Sequence, residues 1–471
     1  MNEHAGPAGA FRREHDSLGD VNVPSGAMWG AQTERARRNF RASGLRCDAT
    51  LITAYARVKR AAALANVELG GLDRAKAEAI VAAAEEVIGG RHRDQFPLDP
   101  FQAGAGTSLN MNLNEVLANR ALELLDRPRG DRLVLSPNDD VNRSQSTNDT
   151  YPTALHLAVL RRWGDLVPVL LRLAEVFEER GEALHAVVKA GRTHLQDAVP
   201  VRLGRELKAY GSALRRTIRL GVAASRELCS LPIGGSAAGT GLNVPAGFGE
   251  RVVQELAANT RMPLRSARDL YEAMQSRQAV GAMSGVLRGL ALELTRIAND
   301  LRLLTSGPAT GLAEISLPAV QPGSSIMPGK VNPTQAEALT QVAVQVYGND
   351  AAVAFAGSQG VFQLNVYKPV MLHNLLESAG LLADAARAFE RYCARGLEPD
   401  LPVIRRHLGD SLMLVTALSP HIGYEKAAQI AQKAHHDGLT LKDAALGLGY
   451  VTAEQFDAWV RPEDMTHPQD G

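Results

Sequence analysis

Long helical periodicity is the feature of this 471-residue sequence that most restricts its fold. One run of apolar residues recurs at alternating steps of four and three, which is the spacing of one face of a long helix. Its members are Val159, Trp163, Leu166, Leu170, Leu173 and Phe177. Because Pro168 lies inside this run, we expect a kink there. Further helical runs are predicted over about 50–90, 205–230, 265–305, 334–356 and 366–395.

Such lengths predict a mainly α fold in which extended helices pack side by side in a bundle. Strand signals are sparse, and the best short candidate is DVNVPSG near residue 20. The length of the chain suggests two to four domains. The segment GLEPDLP, residues 396–402, reads as a linker that precedes a small C-terminal unit.

Composition excludes several classes of function. Lys plus Arg and Asp plus Glu both number 51, so no basic field exists to attract nucleic acid. The first residues, MNEHAGPAGAFRREHD, read as a polar tail, and no apolar run approaches the roughly 20 residues of a membrane helix. The three cysteines lack metal or redox spacing; they are Cys47, Cys229 and Cys393. We therefore expect a cytoplasmic protein without nucleic-acid or membrane partners.

Four loops rich in Gly, Ser, Thr and Asn share a layout, with small polar residues ahead of an expected helix. They are FQAGAGTSLNMNLNEV (101–116), SQSTNDTYPTALH (144–156), GRTHLQDAVP (191–200) and GSSIMPGKVNPTQAE (323–337). Pro152 suits the first turn of one helix, and Pro333 lies near the start of another. Because helix N-termini attract anions, several such ends with hydroxyls, amides and Lys330 suit a small dicarboxylate.

Each loop also has a simpler explanation. Ser, Thr and Asn before a helix are most often caps. Taken alone, His194 is more often structural than catalytic, and Lys330 is most simply a solvated surface lysine. Four such loops in one helical protein nevertheless favour function. Nucleotide motifs are excluded, because GSSIMPGKV has five residues between its glycines and GGSAAGTGLN does not complete the dinucleotide fingerprint.

The stretch GSSIMPGKVNP, residues 323–333, resembles the signature of the fumarase/aspartase superfamily in full. The resemblance extends from HDSLGDVNVPSGAMWGAQTERARRNF (15–40) to HIGYEKAAQIAQKAH (421–435). It implies a mainly helical, three-domain subunit whose long central bundle joins three others in a homotetramer. We assign these domains to residues 1–144, 145–398 and 399–471. It also implies active sites built from loops of three subunits, and addition of water or ammonia to fumarate with no metal or cofactor.

Roles for individual residues follow from the same resemblance. Ser324 is the base that removes a proton beside a substrate carboxylate, and Lys330 with loop amides supports its oxyanion. His194 is the acid/base partner for the leaving group, and Glu337 orients that histidine. The residues that match the substrate pocket are Ala105, Gly106, Thr107, Ser146, Thr147, Asn148, Thr193, Ser325, Lys330 and Asn332.

The motifs disagree on whether water or ammonia is the group that is added. AGAGT (103–107) and STND (146–149) resemble aspartases, and Ala105 and the Thr147 methyl reduce polarity and room for water. In contrast, NPTQAEAL (332–339), FQLNVYKP (362–369) and residues 411–465 follow fumarases. We predict reversible hydration of fumarate to L-malate, with elimination of ammonia from L-aspartate as the alternative. A non-catalytic structural protein is disfavoured, because every catalytic position is intact.

A secondary anion site is also implied by the resemblance. NDDVN, residues 138–142, follows the fumarase pattern, with Asn138 and Asp139 as its matching residues. Ser136, however, stands where fumarases usually carry a histidine. The expected secondary site therefore consists of Ser136, Asn138 and Asp139 without its usual cation.

Overall fold

The computed structural model describes residues 11–468 and is mainly α-helical, which confirms the predicted fold class. The α-helices of these residues are α1 (Ala31–Asn39), α2 (Ala49–Glu68), α3 (Arg74–Ile88), α4 (Thr107–Leu124), α5 (Thr147–Ala183), α6 (Leu203–Leu228), α7 (Phe248–Thr260), α8 (Leu270–Gln275), α9 (Gln278–Leu304), α10 (Thr334–Ser358), α11 (Lys368–Tyr392), α12 (Leu401–Asp410), α13 (Ser419–Ile422), α14 (Tyr424–Asp437), α15 (Leu441–Gly447) and α16 (Ala453–Trp459).

Strands are few and short among the described residues. They are β1 (Phe11–Asp16), β2 (Gly19–Pro24), β3 (Val188–Thr193), β4 (Gln196–Arg202), β5 (Ser230–Leu231), β6 (Arg265–Ser266), β7 (Ile315–Ser316) and β8 (Glu398–Pro399). They form four two-stranded sheets, of which only β5–β6 is parallel. The strand predicted near residue 20 is β2, which pairs with β1 in an antiparallel hairpin.

Two predicted helical runs are interrupted. The run over 50–90 is two helices, because the chain turns at Gly70 with φ of 70° and Asp73 then caps α3. The carboxylate of Asp73 accepts the first free N–H groups of α3, so a new helix begins there. The run over 265–305 begins with a strand and is divided by Ser276, whose extended backbone separates α8 from α9. α5 continues through Pro168; the expected kink there stays a prediction.

The chain divides into two compact units. Within the described residues, unit 1 comprises 11–167, 218–291 and 344–382, and unit 2 comprises 168–217, 292–343 and 383–468. The division falls inside the five longest helices, α5, α6, α9, α10 and α11. The predicted linker GLEPDLP is ordered, because β8 pairs with β7 and Asp400 caps α12. The three-domain division stays a prediction.

In unit 1, a buried carboxylate caps the start of the first helix. Glu115 on α4 accepts the backbone N–H groups of Gly30, Gln32 and Thr33 at 2.8, 2.9 and 3.1 Å. These are the unsatisfied N–H groups at the start of α1, where a negative charge is favoured by the helix dipole. A side chain at Gly30 would collide with this carboxylate, since its Cβ would lie 2.9 Å from Glu115 Cδ. Glu115 therefore fixes α1 against α4.

In unit 2, the β3–β4 hairpin packs against α12 and the C-terminal elements. Its first residue, Val188, joins a core that the C-terminal helices supply. Core members include Leu418, Ala427, Ile430, Ala434, Ala444 and Ala445. The hairpin is therefore anchored at its base and free at its tip. Among residues 11–468, no helix has the length and apolar character needed to cross a bilayer.

Gly221→Ala is expected to destabilise unit 1. A Cβ at Gly221 on α6 would lie 2.0 Å from the ring of Trp163 on α5, which is buried. Overpacking of this kind costs about 1–3 kcal/mol, more than the ~1 kcal/mol that alanine adds to a helix. Gly164→Ala is the matched control, because a Cβ at that helical position meets no atom within 4 Å. Thermal denaturation should give a lower apparent Tm for the first variant only; equal values would contradict the predicted clash.

Candidate active site

The first loop is closely packed around its glycines. Gly106 precedes α4 with φ of 86°, and a Cβ there would lie 2.1 Å from the ring of Tyr151. A Cβ at Gly104 would lie 2.4 Å from the carbonyl oxygen of Val366. Both positions therefore require glycine, the first because of its left-handed backbone as well. The result is a tight turn that leaves Thr107 exposed as the first residue of α4.

The second loop caps α5. Asp149 Oδ1 accepts the N–H of Ser146 at 3.0 Å, and Ser146 Oγ accepts the N–H of Asn148 at 3.2 Å. Asn148 Nδ2 donates to the carbonyl oxygen of Ala237 at 2.8 Å, which joins this loop to the glycine-rich segment that includes residues 234–243. The predicted place of Pro152 is wrong by one turn. α5 begins at Thr147, so Pro152 belongs to the second turn of the helix.

The first and second loops lie together. Asn110 on α4 donates from Nδ2 to Oγ1 of Thr147 at 2.9 Å, and Tyr151 of α5 contacts Gly106. The starts of α4 and α5 are therefore side by side. Thr147 is buried, and its Oγ1 accepts this hydrogen bond, so its hydroxyl keeps the capacity to donate. Two of the four predicted loops thus form one polar surface in unit 1.

Buried charges underlie these loops. Lys59 on α2 is fully buried, and its Nζ donates to Oδ1 of Asn142 at 3.0 Å and to Oε1 of Gln145 at 2.9 Å. Burial lowers the pKa of Lys59 to about 7. Asp149 is also fully buried, and burial raises its pKa to about 7 although its Oδ2 accepts backbone N–H groups, the shorter from Ser236 at 2.9 Å.

A second buried lysine lies in the same unit. Lys368 is fully buried at the start of α11, and burial together with the charge of Arg277 lowers its pKa to about 7. Within the described residues, its Nζ makes no hydrogen bond. These buried charges were not predicted from the sequence. Lys59 shares a helical face with Tyr55 and Asn66, and all three are buried.

The signature loop in unit 2 closes on itself. Gly323 donates its N–H to the carbonyl oxygen of Lys330 at 2.7 Å, and Asn332 Nδ2 donates to the carbonyl oxygen of Gly323 at 2.8 Å. Lys330 Nζ donates to Oδ1 of Asn332 at 2.5 Å. A Cβ at Gly323 would lie 2.8 Å from the nitrogen of Asn332, so glycine permits this closure. Lys330 and Asn332 are thereby held together ahead of α10.

The hydroxyl of Ser324 has a distinctive environment. Its Oγ accepts backbone N–H groups from Met327 at 2.9 Å and from Ile326 at 3.3 Å. Hydrogen bonds donated to an oxygen favour its charged form, so these two amides lower the cost of a Ser324 oxyanion. Ser325 and Lys330 are exposed beside it. This arrangement suits a serine that accepts a proton.

Thr193 and His194 do not precede a helix, contrary to the predicted layout. Thr193 pairs with Gln196 at the end of the β3–β4 hairpin, so His194 and Leu195 form a two-residue turn. Their φ angles are 57° and 62°, the left-handed values of a type I′ turn, which usually contains Asn and Gly. The side chains of His194 and Leu195 are exposed at the tip. A strained backbone is characteristic of functional residues.

Comparison with known proteins agrees with these local features. The sequence model described as Lyase matches residues 19–348, and the one described as Fumarase C C-terminus matches residues 414–467. The chain belongs to the fumarase/aspartase superfamily. A class II fumarate hydratase from Ralstonia nicotianae is 52% identical over 455 residues, which cover 96% of this chain and 99% of the relative. One from Thermosynechococcus vestitus is 53% identical over 455 residues, 96% and 97% of the two chains.

Solved structures of the superfamily share the fold. A recombinant class II fumarase from Schistosoma mansoni is 39% identical and superposes with a TM-score of 0.96, covering 98% of this chain and 100% of that chain. A protein from Brucella melitensis, described as fumarate lyase:delta crystallin, is 44% identical with a TM-score of 0.94, covering 97% and 100%. The resemblance identified from the signature loop is thus confirmed.

The secondary anion site expected from the superfamily is surrounded by acidic groups. Ser136 Oγ donates to Oδ2 of Asp139 at 2.9 Å, and the N–H of Ser136 donates to Oδ2 of Asp140 at 2.7 Å. Asp140 in turn pairs with Lys76 at 3.0 Å. The hydroxyl of Ser136 is therefore already engaged with a carboxylate, next to Asn138 in the same turn. Whether this turn binds anions stays a prediction.

His194, Ser324 and Glu337 are not joined by hydrogen bonds among the described residues of unit 2. Glu337 lies in the first turn of α10, half-buried, with its N–H donated to the carbonyl oxygen of Pro333. Across residues 11–468, no group of three or more His, Cys, Asp or Glu side chains is placed to hold a metal ion. The expectation of metal-free chemistry stays a prediction.

Proposed function

We propose that this protein is a class II fumarate hydratase, which interconverts fumarate and L-malate by reversible addition of water. One observation carries the proposal: relatives with this name are 52–53% identical over 96% of the chain. They favour water over ammonia as the added group, although AGAGT and STND resemble aspartases. The geometry of the loops is consistent with elimination and addition at a dicarboxylate.

The first step is removal of a proton from the carbon beside a malate carboxylate. We assign it to Ser324, whose Oγ already accepts two backbone N–H groups. The electron pair left on carbon is delocalised into the adjacent carboxylate, which becomes a doubly charged, enediolate-like group. Its negative charge is stabilised by nearby cations, and Lys330, held by Asn332, is the cation of this loop. Glycine-flanked loops of this kind can close over substrate and exclude water.

The second step is departure of the hydroxyl group, which leaves as water after it receives a proton. We assign this acid role to His194, directly or through a bound water, because the tip of its hairpin is exposed. Glu337 is the carboxylate proposed to orient His194 in the assembled protein. In the direction of hydration, the same two groups reverse their roles, so His194 activates water and Ser324 returns the proton.

The surface of unit 1 supports recognition of a dianion. Thr107 and Thr147 present hydroxyls at the starts of α4 and α5, where helix dipoles favour negative charge. Beneath them, Lys59 and Lys368 are buried, while Asp149 is the buried carboxylate near both. Cations in a low-dielectric setting act strongly on a nearby ligand. The side chains of Ser146, Asn148 and the loop at Ala105 complete the proposed pocket.

We also propose a homotetramer in which several subunits contribute to each site. Apolar side chains left exposed on the long helices support this, and they include Leu220, Leu292, Val344 and Phe355. Ser325, Thr193 and Gly106 belong to the same proposed set of substrate-binding residues. The three cysteines are free and buried, which suits a reducing compartment such as the cytoplasm.

A direct assay tests the proposed function. Purified protein is mixed with fumarate, and the loss of fumarate absorbance is followed in buffer alone and with added ammonium. We expect rapid conversion to malate without ammonium and no acceleration when it is added. Conversion that depends on ammonium, with aspartate as the product, would contradict the proposal. No conversion under either condition would favour the non-catalytic alternative.

The double variant Ala105→Ser, Thr147→Ser tests the choice of water at the pocket itself. Serine at position 147 keeps the oxygen that accepts from Asn110 and removes only a methyl group. We expect kcat/KM for malate to be unchanged or improved, because a change of this size is worth about 1–3 kcal/mol. In an aspartase, the same change should weaken turnover of aspartate. The measurement is kcat/KM for both substrates; a hundredfold wild-type preference for aspartate would overturn our assignment.

A further inference from the structure

Glu314 is a buried carboxylate that the proposed chemistry does not use. It lies between α9 and β7 in unit 2 and is fully buried. Its Oε1 accepts from Arg192 Nη2 at 2.6 Å and lies 3.1 Å from Nδ1 of His407, while its Oε2 lies 3.2 Å from Nζ of Lys189. One carboxylate therefore contacts three basic side chains. Removing a partner from a buried ion pair of this kind is usually destabilising, because it leaves a buried charge uncompensated.

Two of these side chains belong to the strand that carries His194. Lys189 and Arg192 are three residues apart on β3, and side chains at that spacing normally point to opposite faces of a strand. The register of the hairpin shifts between Ala190 and Gly191, where β4 has an additional residue. Such a bulge changes the local twist and redirects side chains. Glu314 can therefore hold β3 at two positions, the second only two residues before His194.

The backbone of Glu314 is fixed by hydrogen bonds on both sides. The N–H of Glu314 donates to the carbonyl oxygen of Leu304 at the end of α9, at 2.9 Å. Its carbonyl oxygen accepts the N–H of Asp400, which caps α12, also at 2.9 Å. The next residue begins β7, which pairs with β8. Glu314 is thus attached to two helices and a sheet, and the hairpin is attached to Glu314.

The tip of the hairpin needs such an anchor. His194 and Leu195 both have left-handed backbones without being glycine, and strained conformations persist only where their surroundings fix them. Within the described residues, the ring of His194 makes no hydrogen bond. Its direction therefore depends on the strands that carry it. The last ion pair before the tip on β3 is that of Arg192 with Glu314.

We propose that Glu314, acting through Arg192, is a positioning residue that fixes the hairpin of His194 for proton transfer. The catalytic consequence rests on the proposed function. Without the Arg192 side chain, Glu314 remains paired with Lys189. The fold is therefore retained, while the tip of the β3–β4 hairpin becomes more mobile. Misplacement of an acid/base group by about 1 Å can reduce a rate by up to about 10². The expected signature is a lower kcat with little change in KM.

Arg192→Gln is the test variant, and His407→Gln is its matched control. Both remove one partner of the same carboxylate, but His407 lies on α12 and not on the hairpin. We expect kcat for malate to fall about tenfold or more in Arg192→Gln and to stay within about twofold of wild type in His407→Gln. Arg192→Lys, which keeps the charge, should recover part of the loss. Equal losses in Arg192→Gln and His407→Gln would overturn the proposal.

A double-mutant cycle separates positioning from general damage. If Arg192 acts through His194, Arg192→Gln should cost little further activity in a His194→Asn background. If the activity losses of the two single variants multiply in the double variant, Arg192 and His194 act independently. That result would overturn the proposal.

Hydrogen exchange measured by mass spectrometry gives a readout that needs no substrate. Amides of residues 188–202 should exchange faster in Arg192→Gln and unchanged in His407→Gln. If wild type does not hydrate fumarate, the proposed function fails, and this measurement still decides whether Glu314 fixes the hairpin. Unchanged exchange in Arg192→Gln would reject that role.

Discussion

Ser324→Ala is expected to lower kcat for malate by about 10²–10⁴ while KM changes little. A base acts in the transition state, so its removal affects turnover much more than substrate binding. The variant should remain folded. Ser324 lies in a surface loop, and the N–H groups of Ile326 and Met327 that it accepts belong to exposed residues, so water can replace the lost oxygen. Steady-state kinetics with malate and with fumarate provide the measurement.

Ser325→Ala is the matched control for this variant. It removes a hydroxyl from the neighbouring residue of the same loop, but Ser325 is proposed to hold a carboxylate of the substrate. Its main effect should therefore be a higher KM with kcat less affected. Turnover by Ser324→Ala at the wild-type rate would reassign the base, with His194 as the next candidate. Equal kinetic effects of the two alanines would mean that the loop shape matters more than either hydroxyl.

Local sequence patterns were sufficient for the long helices of the fold. The step pattern from Val159 to Phe177 identified α5, because a continuous apolar face on a helix has a recognisable period. The same reasoning joined α2 to α3, since apolar spacing continues on both sides of Gly70 and only the turn reveals the break. It also extended a helix over Arg265–Ser266, a strand too short to show alternation. A break in a helix depends on a single residue, whereas the apolar repeat extends along the whole helix. Only the repeat is therefore easy to recognise in the sequence.

The candidate site was predictable where its chemistry is contiguous in sequence. Ser324, Lys330 and Asn332 lie within one loop, so a motif can specify them together. The hairpin that carries His194 was not predicted, because its turn lacks the Asn-Gly signal of a type I′ turn. Glu314 was not found, since its partner Arg192 is 122 residues away and no local pattern reports that distance.

The burial of charged side chains also could not be predicted from the sequence. Lys59 lies among alanines on α2, and Asp149 is the final residue of the STND motif. Each is polar and each would be exposed by default. Their burial depends on helices that pack over them from elsewhere in unit 1. Burial also brings the pKa values of Lys59 and Asp149 to about 7, which no local sequence pattern indicates.

Mixed tetramers of Ser324→Ala and His194→Ala are expected to regain activity that neither variant has alone. The two proteins are unfolded together in equal amounts and refolded, and hydration of fumarate is then measured. If each site takes Ser324 and His194 from different subunits, random assembly gives about one quarter of the sites both intact residues. Activity should therefore rise from near zero to about one quarter of the wild-type value.

Two controls make this result interpretable. Each variant is refolded alone, to show that refolding itself restores nothing, and the two native tetramers are mixed without unfolding. Native mass spectrometry of differently tagged subunits confirms that mixed tetramers form. No recovery in confirmed mixed tetramers would mean that one subunit supplies both residues. That outcome would require the β3–β4 hairpin and the signature loop of a single chain to meet, although no hydrogen bond within unit 2 joins His194 to Ser324. Recovery near one quarter would instead show that each chain contributes its histidine to one site and its serine to another.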